Sequence, residues 1–276
     1  TQAERQPGST MKPFVYLAAI QSGKTPGSIV EDSPVSFGSW SPKNYENDYE
    51  GSMTYRYALQ HSRNVAAVKI ADEVGMTKVI KLAKEMGIST LTDQDYNLST
   101  ALGGLTHGVT PLEMVQAYGV LANGGIKVQP TAILKIVDRN GQVVEEHSIQ
   151  EKRVVDEKDA AIITNMLESV INGGTGGNAA IGRPAAGKTG TTDDSKDAWF
   201  VGYTPDLVAA VWIGDDYGSE TLRGMTGGDT PAIMWGQFMA NALANTPASD
   251  FPVPSSAQSA IAEGYFNPVK VQPKKD

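Results

Sequence analysis

The strongest constraint on the fold is a pair of runs, rich in aromatic and β-branched residues, in the carboxyl-terminal third of the chain. AWFVGYT (198–204) and LVAAVWIG (207–214) are separated only by Pro205 and Asp206, residues that favour turns. Two such runs joined by so short a loop predict adjacent antiparallel strands. The preceding GKTGT (187–191) is expected to lie on a further strand, at the edge of a cleft.

In much of the remaining chain, apolar residues recur at the spacing of a helix. Residues 54–86 have this spacing throughout, and the segment is long enough to form two or three helices. Further helices are predicted after Ser9, at 111–122 with Thr110 as N-cap, at 159–171, and in a last segment capped by Thr230 with Pro231 at its first position.

Three other segments lack this spacing. Residues 22–52 are rich in Gly, Pro, Ser and Asn and are predicted to be irregular. Residues 131–147 alternate around Asn140-Gly141 and predict a hairpin. The chain beyond about residue 246 is rich in Pro and Ser, so we expect a loosely packed tail at 246–276 after a domain formed by 1–245.

Composition excludes several classes of function. The 276 residues include no cysteine, which rules out disulfides, zinc–thiolate sites and a cysteine nucleophile. The net charge of −8 and the lack of a dense Lys/Arg run argue against a nucleic-acid partner. The three histidines lack metal-binding spacing, and no metal or other cofactor is expected.

The stretch GRPAAGKTGTT (182–192) fits two motifs that assign Lys188 different anions. One is the phosphate-binding loop G-x-x-x-x-G-K-[ST], which must join a buried strand to a helix. The segment before it, NGGTGGNAAIGRP, is no strand, and the acidic, glycine-containing segment after it is a poor helix start. Nucleotide binding is therefore the disfavoured alternative.

The other motif is K-T-G, which belongs to serine acyl-transfer enzymes together with S-x-x-K and S-x-N motifs. The chain contains all three in that order, at Ser9 and Lys12, at Ser62 and Asn64, and at Lys188. Each motif alone is weak: Ser9, Ser62 and Asn64 could be helix caps, and Lys188 a solvated loop lysine. The ordered trio is much more specific.

Each residue type suits a step of acyl transfer. Ser9 needs a base, and Lys12 lies three residues further along the same helix face. Desolvation or the nearby charge of Lys188 would lower the pKa of Lys12 enough for that work. Ser62 would relay a proton to the leaving amine, and Asn64 would hold Lys12 and the peptide group of the substrate.

The K-T-G strand would bind the substrate. Lys188, Thr189 and Thr191 would hold a terminal carboxylate, and Gly190 would leave room for a peptide to lie along the strand. The backbone N–H groups of Ser9 and Thr191 would form the oxyanion hole.

The chain resembles the transpeptidase domain of bacterial class A (bifunctional) penicillin-binding proteins. The stretches that carry the resemblance span residues 7 to about 216: PGSTMKPF, SRNVAAVKIA, ALGGLTHGVTPLEMVQAYGVLANGG, AAGKTGTT and DAWFVGYTPDLVAAVWIGDD. The resemblance implies an α+β fold, with an antiparallel sheet flanked by helices plus a helical subdomain.

The resemblance also implies a function, a serine acyl-enzyme D,D-transpeptidase. Its partners would be peptidoglycan stem peptides ending in D-Ala-D-Ala, and β-lactams that mimic them and acylate Ser9. Family members act at the extracytoplasmic face of the bacterial membrane. They carry a membrane anchor, a glycosyltransferase domain and the first sheet strands before the S-x-x-K helix. Only eight residues precede Ser9 here, which predicts an N-terminally truncated domain with an unpaired sheet edge.

Three alternatives remain at this stage. A D,D-carboxypeptidase would pass the acyl group to water. A β-lactamase-like hydrolase is disfavoured because the chain has no E-x-x-L-N stretch between the S-x-N and K-T-G motifs. A catalytically inert cell-wall-binding fragment would keep the groove without turnover.

Overall fold

The computed structural model describes residues 2–192, 195–215, 220–222 and 224–265, and these combine helices with antiparallel sheets. The α-helices are α1 (Lys12–Gln21), α2 (Tyr55–Gln60), α3 (Asn64–Val74), α4 (Met76–Met86), α5 (Pro111–Ala122), α6 (Glu157–Gly173), α7 (Thr230–Ala242) and α8 (Gln258–Ile261). The strands are β1 (Ile29–Asp32), β2 (Gly51–Thr54), β3 (Ile126–Val128), β4 (Lys135–Val137), β5 (Val143–Glu146), β6 (Glu151–Arg153), β7 (Ala186–Thr191), β8 (Asp197–Tyr203) and β9 (Val208–Gly214). The predicted α+β class is confirmed.

A three-stranded antiparallel sheet of order β7-β8-β9 forms the centre. Its middle strand is buried on both faces, because alternate side chains point into two different cores. Trp199, Val201 and Tyr203 join the larger core with α5 and α6, whereas Phe200 packs on Trp235 of α7. The predicted placement of helices on both faces of the sheet is therefore confirmed.

Helix α1 lies inside the protein rather than on its surface. Every residue from Lys12 to Ile20 is buried, and Pro13 occupies the first turn, where its missing N–H costs no helical hydrogen bond. The helix packs between α3, α4 and α6. An apolar helix enclosed in this way gives the side chains at its start a fixed position.

Most elements lie where the sequence predicts them, with two differences. Residues 22–52, predicted to be irregular, contain β1, and its partner β2 begins at Gly51, so a two-stranded sheet was missed. The strands have four residues each, too few for a clear alternating pattern. Thr230 is the first residue of α7, not its cap; the N-cap position belongs to Asp229.

The segment after residue 246 is tied to the rest of the domain near its described end. Buried Arg56 donates hydrogen bonds to the carbonyl oxygens of Ile261 (2.8 Å) and Glu263 (3.1 Å), and its guanidinium stacks on Tyr265. Most side chains from residue 247 to 265 are exposed, and the expectation of a loosely packed tail stays a prediction. Residues 266–276 lie outside the described residues, and the domain boundary near residue 245 stays a prediction.

None of the described helices is long and apolar enough to cross a membrane.

Candidate active site

Ser9 stands just before α1, in a 3-10 turn formed by Gly8–Met11. The turn is held from inside the domain: Tyr118 donates to the carbonyl oxygen of Thr10 (2.8 Å), and the Thr10 hydroxyl donates to that of Pro7 (2.7 Å). Ser9 itself is half-buried and lines a cleft of about 390 Å³. A serine on a fixed turn that opens to a cleft is suited to act as a nucleophile.

Close backbone contacts fix this turn between two other segments. Gly8 has φ +54, and a Cβ there would lie 2.6 Å from the carbonyl oxygen of Thr191. On the other side, a Cβ on Gly103 would lie 2.3 Å from the Gly8 nitrogen. Side chains at Gly8 and Gly103 would push the Ser9 turn away from these two segments. Because both residues are glycines, Ser9 can lie next to the K-T-G strand.

The S-x-N loop connects α2 to α3 and places Ser62 and Asn64 beside Lys12. Lys12 is completely buried, and its ammonium donates to the Ser62 carbonyl oxygen (2.5 Å), Ser62 Oγ (3.1 Å) and Asn64 Oδ1 (2.6 Å). Lys12 is the first residue of α1, three residues after Ser9, and the S-x-N loop orients its ammonium.

Lys188 is the second lysine that contacts Ser62. It lies in the middle of β7, is completely buried, and donates to Ser62 Oγ at 2.8 Å. A hydroxyl oxygen has two acceptor sites. With Lys12 and Lys188 occupying them, the Ser62 proton is left to point elsewhere, and Ser62 lines the cleft.

Burial also changes the acidity of Lys188. Desolvation disfavours its charged form and lowers its pKa from 10.5 to about 7. Its charge therefore depends on pH near neutrality, which bears on the carboxylate-binding role predicted for it. Its ammonium lies behind Ser62, whereas the hydroxyl-bearing residues Thr189 and Thr191 line the cleft directly.

This pKa leads to a stability prediction. The unfolded chain keeps the Lys188 proton up to about pH 10.5 and the folded protein only up to about pH 7, so stability rises with pH between these values. We expect Lys188→Met to abolish this contribution. The free energy of unfolding of wild type relative to the variant should increase by about 2 kcal/mol from pH 7 to pH 9. Urea unfolding of each protein at both pH values measures it, and parallel pH curves would contradict the lowered pKa.

The K-T-G strand presents one edge to the cleft. Among the described strands, β7 pairs only with β8. Thr192 donates its N–H across to the Asp197 carbonyl oxygen at 3.1 Å, so alternation along the strand turns the N–H of Thr191 away from β8. This orientation is the one that an oxyanion donor next to Ser9 requires. Gly190 packs against the chain before Ser9, since a Cβ there would lie 2.5 Å from the Pro7 carbonyl oxygen.

The structure thus gathers the predicted residues from three distant parts of the sequence. The residues that line the cleft are Ser9, Ser62, Asn64, Thr189 and Thr191. The buried Lys12 and Lys188 both donate to Ser62 Oγ. Gly190 lies between the two threonines on β7. Their individual roles stay predictions. The same geometry rules out the phosphate loop, because Lys188 is inside a strand rather than in a loop before a helix.

Thr175, in the cleft, and Gly227, next to it, were missed from the sequence. Thr175, just after α6, shares a 2.8 Å hydrogen bond with the Thr189 hydroxyl. Thr191 Oγ1 accepts from the Gly227 N–H at 3.0 Å, which joins the loop before α7 to the strand. Neither residue belongs to a recognisable motif, so no local signal pointed to them.

Comparison with known proteins decides the family. Residues 1–222 match the penicillin binding protein transpeptidase domain. The chain belongs to this family. Among curated relatives, penicillin-binding protein 1A of Aquifex aeolicus is 40% identical over 260 residues, covering 92% of this chain and 35% of the relative. Penicillin-binding protein 1A of Neisseria gonorrhoeae is 38% identical over 279 residues, covering 96% of this chain and 35% of that protein.

Solved structures agree with the assignment to the transpeptidase family. Penicillin-binding protein 1A from Haemophilus influenzae superposes with a TM-score of 0.87 at 30% identity, covering 92% of this chain and 44% of that one. PonA1 from Mycobacterium tuberculosis, in complex with penicillin V, superposes with a TM-score of 0.82 at 30% identity over 92% of this chain and 73% of that one. The predicted family is confirmed. The chain spans about a third of the length of the curated relatives it matches.

Proposed function

We propose that this domain is a serine acyl-enzyme D,D-transpeptidase that cross-links peptidoglycan stem peptides and is acylated by β-lactams. The observation that carries the proposal is the position of Ser62 Oγ, within hydrogen-bond distance of the ammonium groups of Lys12 (3.1 Å) and Lys188 (2.8 Å), in the cleft that holds Ser9. The relative PonA1, solved with penicillin V, supports the β-lactam part.

The first half-reaction would form an ester on Ser9. Ser9 Oγ attacks the carbonyl carbon of the penultimate D-Ala while its proton moves to neutral Lys12. A neutral Lys12 keeps two N–H donors, enough for the Ser62 carbonyl and Asn64 Oδ1. The N–H groups of Ser9 and Thr191 stabilise the developing oxyanion. Ser62 then delivers a proton to the nitrogen of the departing D-Ala, and Lys12 replaces the proton of Ser62.

The second half-reaction would reverse these transfers. The amine of a neighbouring stem peptide attacks the ester carbonyl, loses a proton through the Ser62–Lys12 pair, and releases Ser9 with its proton restored. The hydroxyls of Thr189 and Thr191 line the cleft where the donor carboxylate would lie, and Lys188 adds positive charge behind them when protonated. Water in place of the amine would give the carboxypeptidase or hydrolase outcome.

The proposal has consequences for location. Peptidoglycan lies outside the cytoplasmic membrane, so the domain would act on the extracytoplasmic face. The full-length protein would supply a membrane anchor and a glycosyltransferase domain, as the class A resemblance implies.

The test is covalent labelling with a fluorescent penicillin. We expect intact-mass spectrometry to find one penicilloyl adduct, and peptide mapping to place it on the peptide that contains Ser9. A thioester donor, incubated with and without a D-amino acid, then separates the outcomes: a transpeptidase forms the aminolysis product, whereas a hydrolase forms only free acid. No adduct on folded protein would instead support the inert cell-wall-binding fragment.

A further inference from the structure

The S-x-N loop has a backbone conformation that its sequence does not favour. Ser62 has φ +54, in the left-handed region that residues other than glycine seldom adopt. Such a conformation persists only where the surroundings over-determine it. Since Ser62 Oγ must stay within reach of two ammonium groups, the groups that impose this conformation bear directly on the chemistry.

Asn44 holds the far side of the loop, although it lies 20 residues before Asn64 in the chain. Its Oδ1 accepts from the backbone N–H of Asn64 (2.9 Å) and of Val65 (3.1 Å), two N–H donors of the first turn of α3. Its Nδ2 donates to Asp32 Oδ1 (2.8 Å) and to the carbonyl oxygen of Asp48 (2.8 Å). Asn44 is 4% exposed, so water is a poor substitute for these bonds.

Asp32, at the end of β1, holds the middle residue of the S-x-N motif. Its Oδ2 accepts from Arg63 Nε (2.9 Å) and Nη2 (2.7 Å), and also from the backbone N–H of Glu50 (3.1 Å). Asp32 is fully buried and Arg63 is 8% exposed. Arg63 also pairs with Asp48 and Glu50 in the wall of the cleft. One buried carboxylate thus joins the loop, the cleft wall and Asn44.

We propose that Asp32, Asn44 and Arg63 form a positioning unit that holds Ser62 in its left-handed conformation between Lys12 and Lys188, and that the rate of Ser9 acylation depends on this unit. The inference rests on the proposed acyl-transfer function. None of the three side chains needs to touch the reacting atoms, because they act through the backbone on either side of Ser62 and through the first turn of α3.

The primary test is Asn44→Ala, which removes the bonds to α3 but leaves the ion pair of Asp32 with Arg63. We expect the acylation rate constant at saturating penicillin to fall roughly 10- to 100-fold, as a displacement of about 1 Å in catalytic geometry produces. The dissociation constant of penicillin before acylation should change less than about 3-fold, because a positioning defect acts on the chemical step.

A pair of variants tests the donor–acceptor match. Asn44→Asp sets a carboxylate 2.8 Å from Asp32 Oδ1 and should slow acylation at least as much as Asn44→Ala. Adding Asp32→Asn restores a donor to this contact, and we expect the double variant to recover part of the lost rate. The matched control is Lys69→Met: Lys69 also links α3 to the β1 region, donating to the Glu31 carbonyl (2.8 Å) and Ser33 Oγ (2.9 Å), but does not touch the loop.

The outcomes separate the two proposals. If wild type is not acylated, the proposed function fails and the inference falls with it. If wild type is acylated and folded Asn44→Ala reacts at the same rate, only the inference is overturned. An equal loss of rate in Lys69→Met would also overturn it, because any weakening of this region would then suffice. Should Asn44→Ala not fold, Asn44→Ser decides, since its hydroxyl can accept one of the two α3 bonds.

Discussion

Replacing Lys12 by methionine is expected to lower the rate of Ser9 acylation by about 10³-fold, within the range that general-base catalysis contributes. Methionine keeps an unbranched side chain of similar length, but it has no proton acceptor of useful basicity and no donor for Ser62 or Asn64. Stability should change by no more than about 1 kcal/mol, because removing a completely buried ammonium also removes its desolvation cost. Lys12→Met should therefore lose most of its acylation rate while its free energy of unfolding stays close to that of wild type.

The measurement is the second-order rate constant for labelling by fluorescent penicillin, with urea unfolding of the same preparations. Lys78→Met is the matched control, since Lys78 lies on α4 and its ammonium makes an exposed 3.4 Å contact with Ser22. We expect that variant to be labelled at the wild-type rate. Lys12→Met protein labelled within about 10-fold of wild type would show that another group takes the Ser9 proton.

The residues that form the candidate site were predictable because acyl transfer needs particular residue types at short, fixed spacings. Ser9 and Lys12 are three residues apart, and Ser62 and Asn64 are two residues apart. Each pair can therefore be recognised from a short local motif. The K-T-G motif predicted a strand, and that strand, β7, lies at the edge of the sheet that faces the cleft. The contact of Lys12 with Asn64 was predicted in the same way. What these motifs could not give was the contact of Lys188, which donates to Ser62 Oγ.

The groups that support the site were not predictable, because their partners are far away in sequence. Asn44 and Asp32 lie in a segment whose composition indicates an irregular loop, and nothing local shows that one caps α3 and the other neutralises Arg63. Arg56 likewise gives no sign that it fixes the chain near residue 263. Such long-range polar bonds depend on the fold, while the N-cap at Thr110 is a local feature and was predicted at the right residue.

Gly103→Ala is expected to lower the free energy of unfolding by about 3 kcal/mol, the combined cost of a left-handed alanine and of overpacking against backbone. Gly103 has φ +84, and its added Cβ would lie 2.3 Å from the nitrogen and 2.4 Å from the oxygen of Gly8. Backbone atoms cannot rotate away as a side chain can. The relief must come from moving the Ser9 turn towards Thr191, where Gly8 already leaves no room for a side chain.

Gly23→Ala separates the two costs. Gly23 has φ +93, close to that of Gly103, but an added Cβ would meet nothing within 4 Å. We expect this variant to lose only about 1 kcal/mol, the cost of the left-handed conformation, and to be acylated normally. The folded fraction of Gly103→Ala should also be acylated at least about 10-fold more slowly, because Ser9 moves with its turn. Urea unfolding and penicillin labelling of both variants check this, and equal losses of stability would show that the close contact between Gly103 and Gly8 does not hold the Ser9 turn in place.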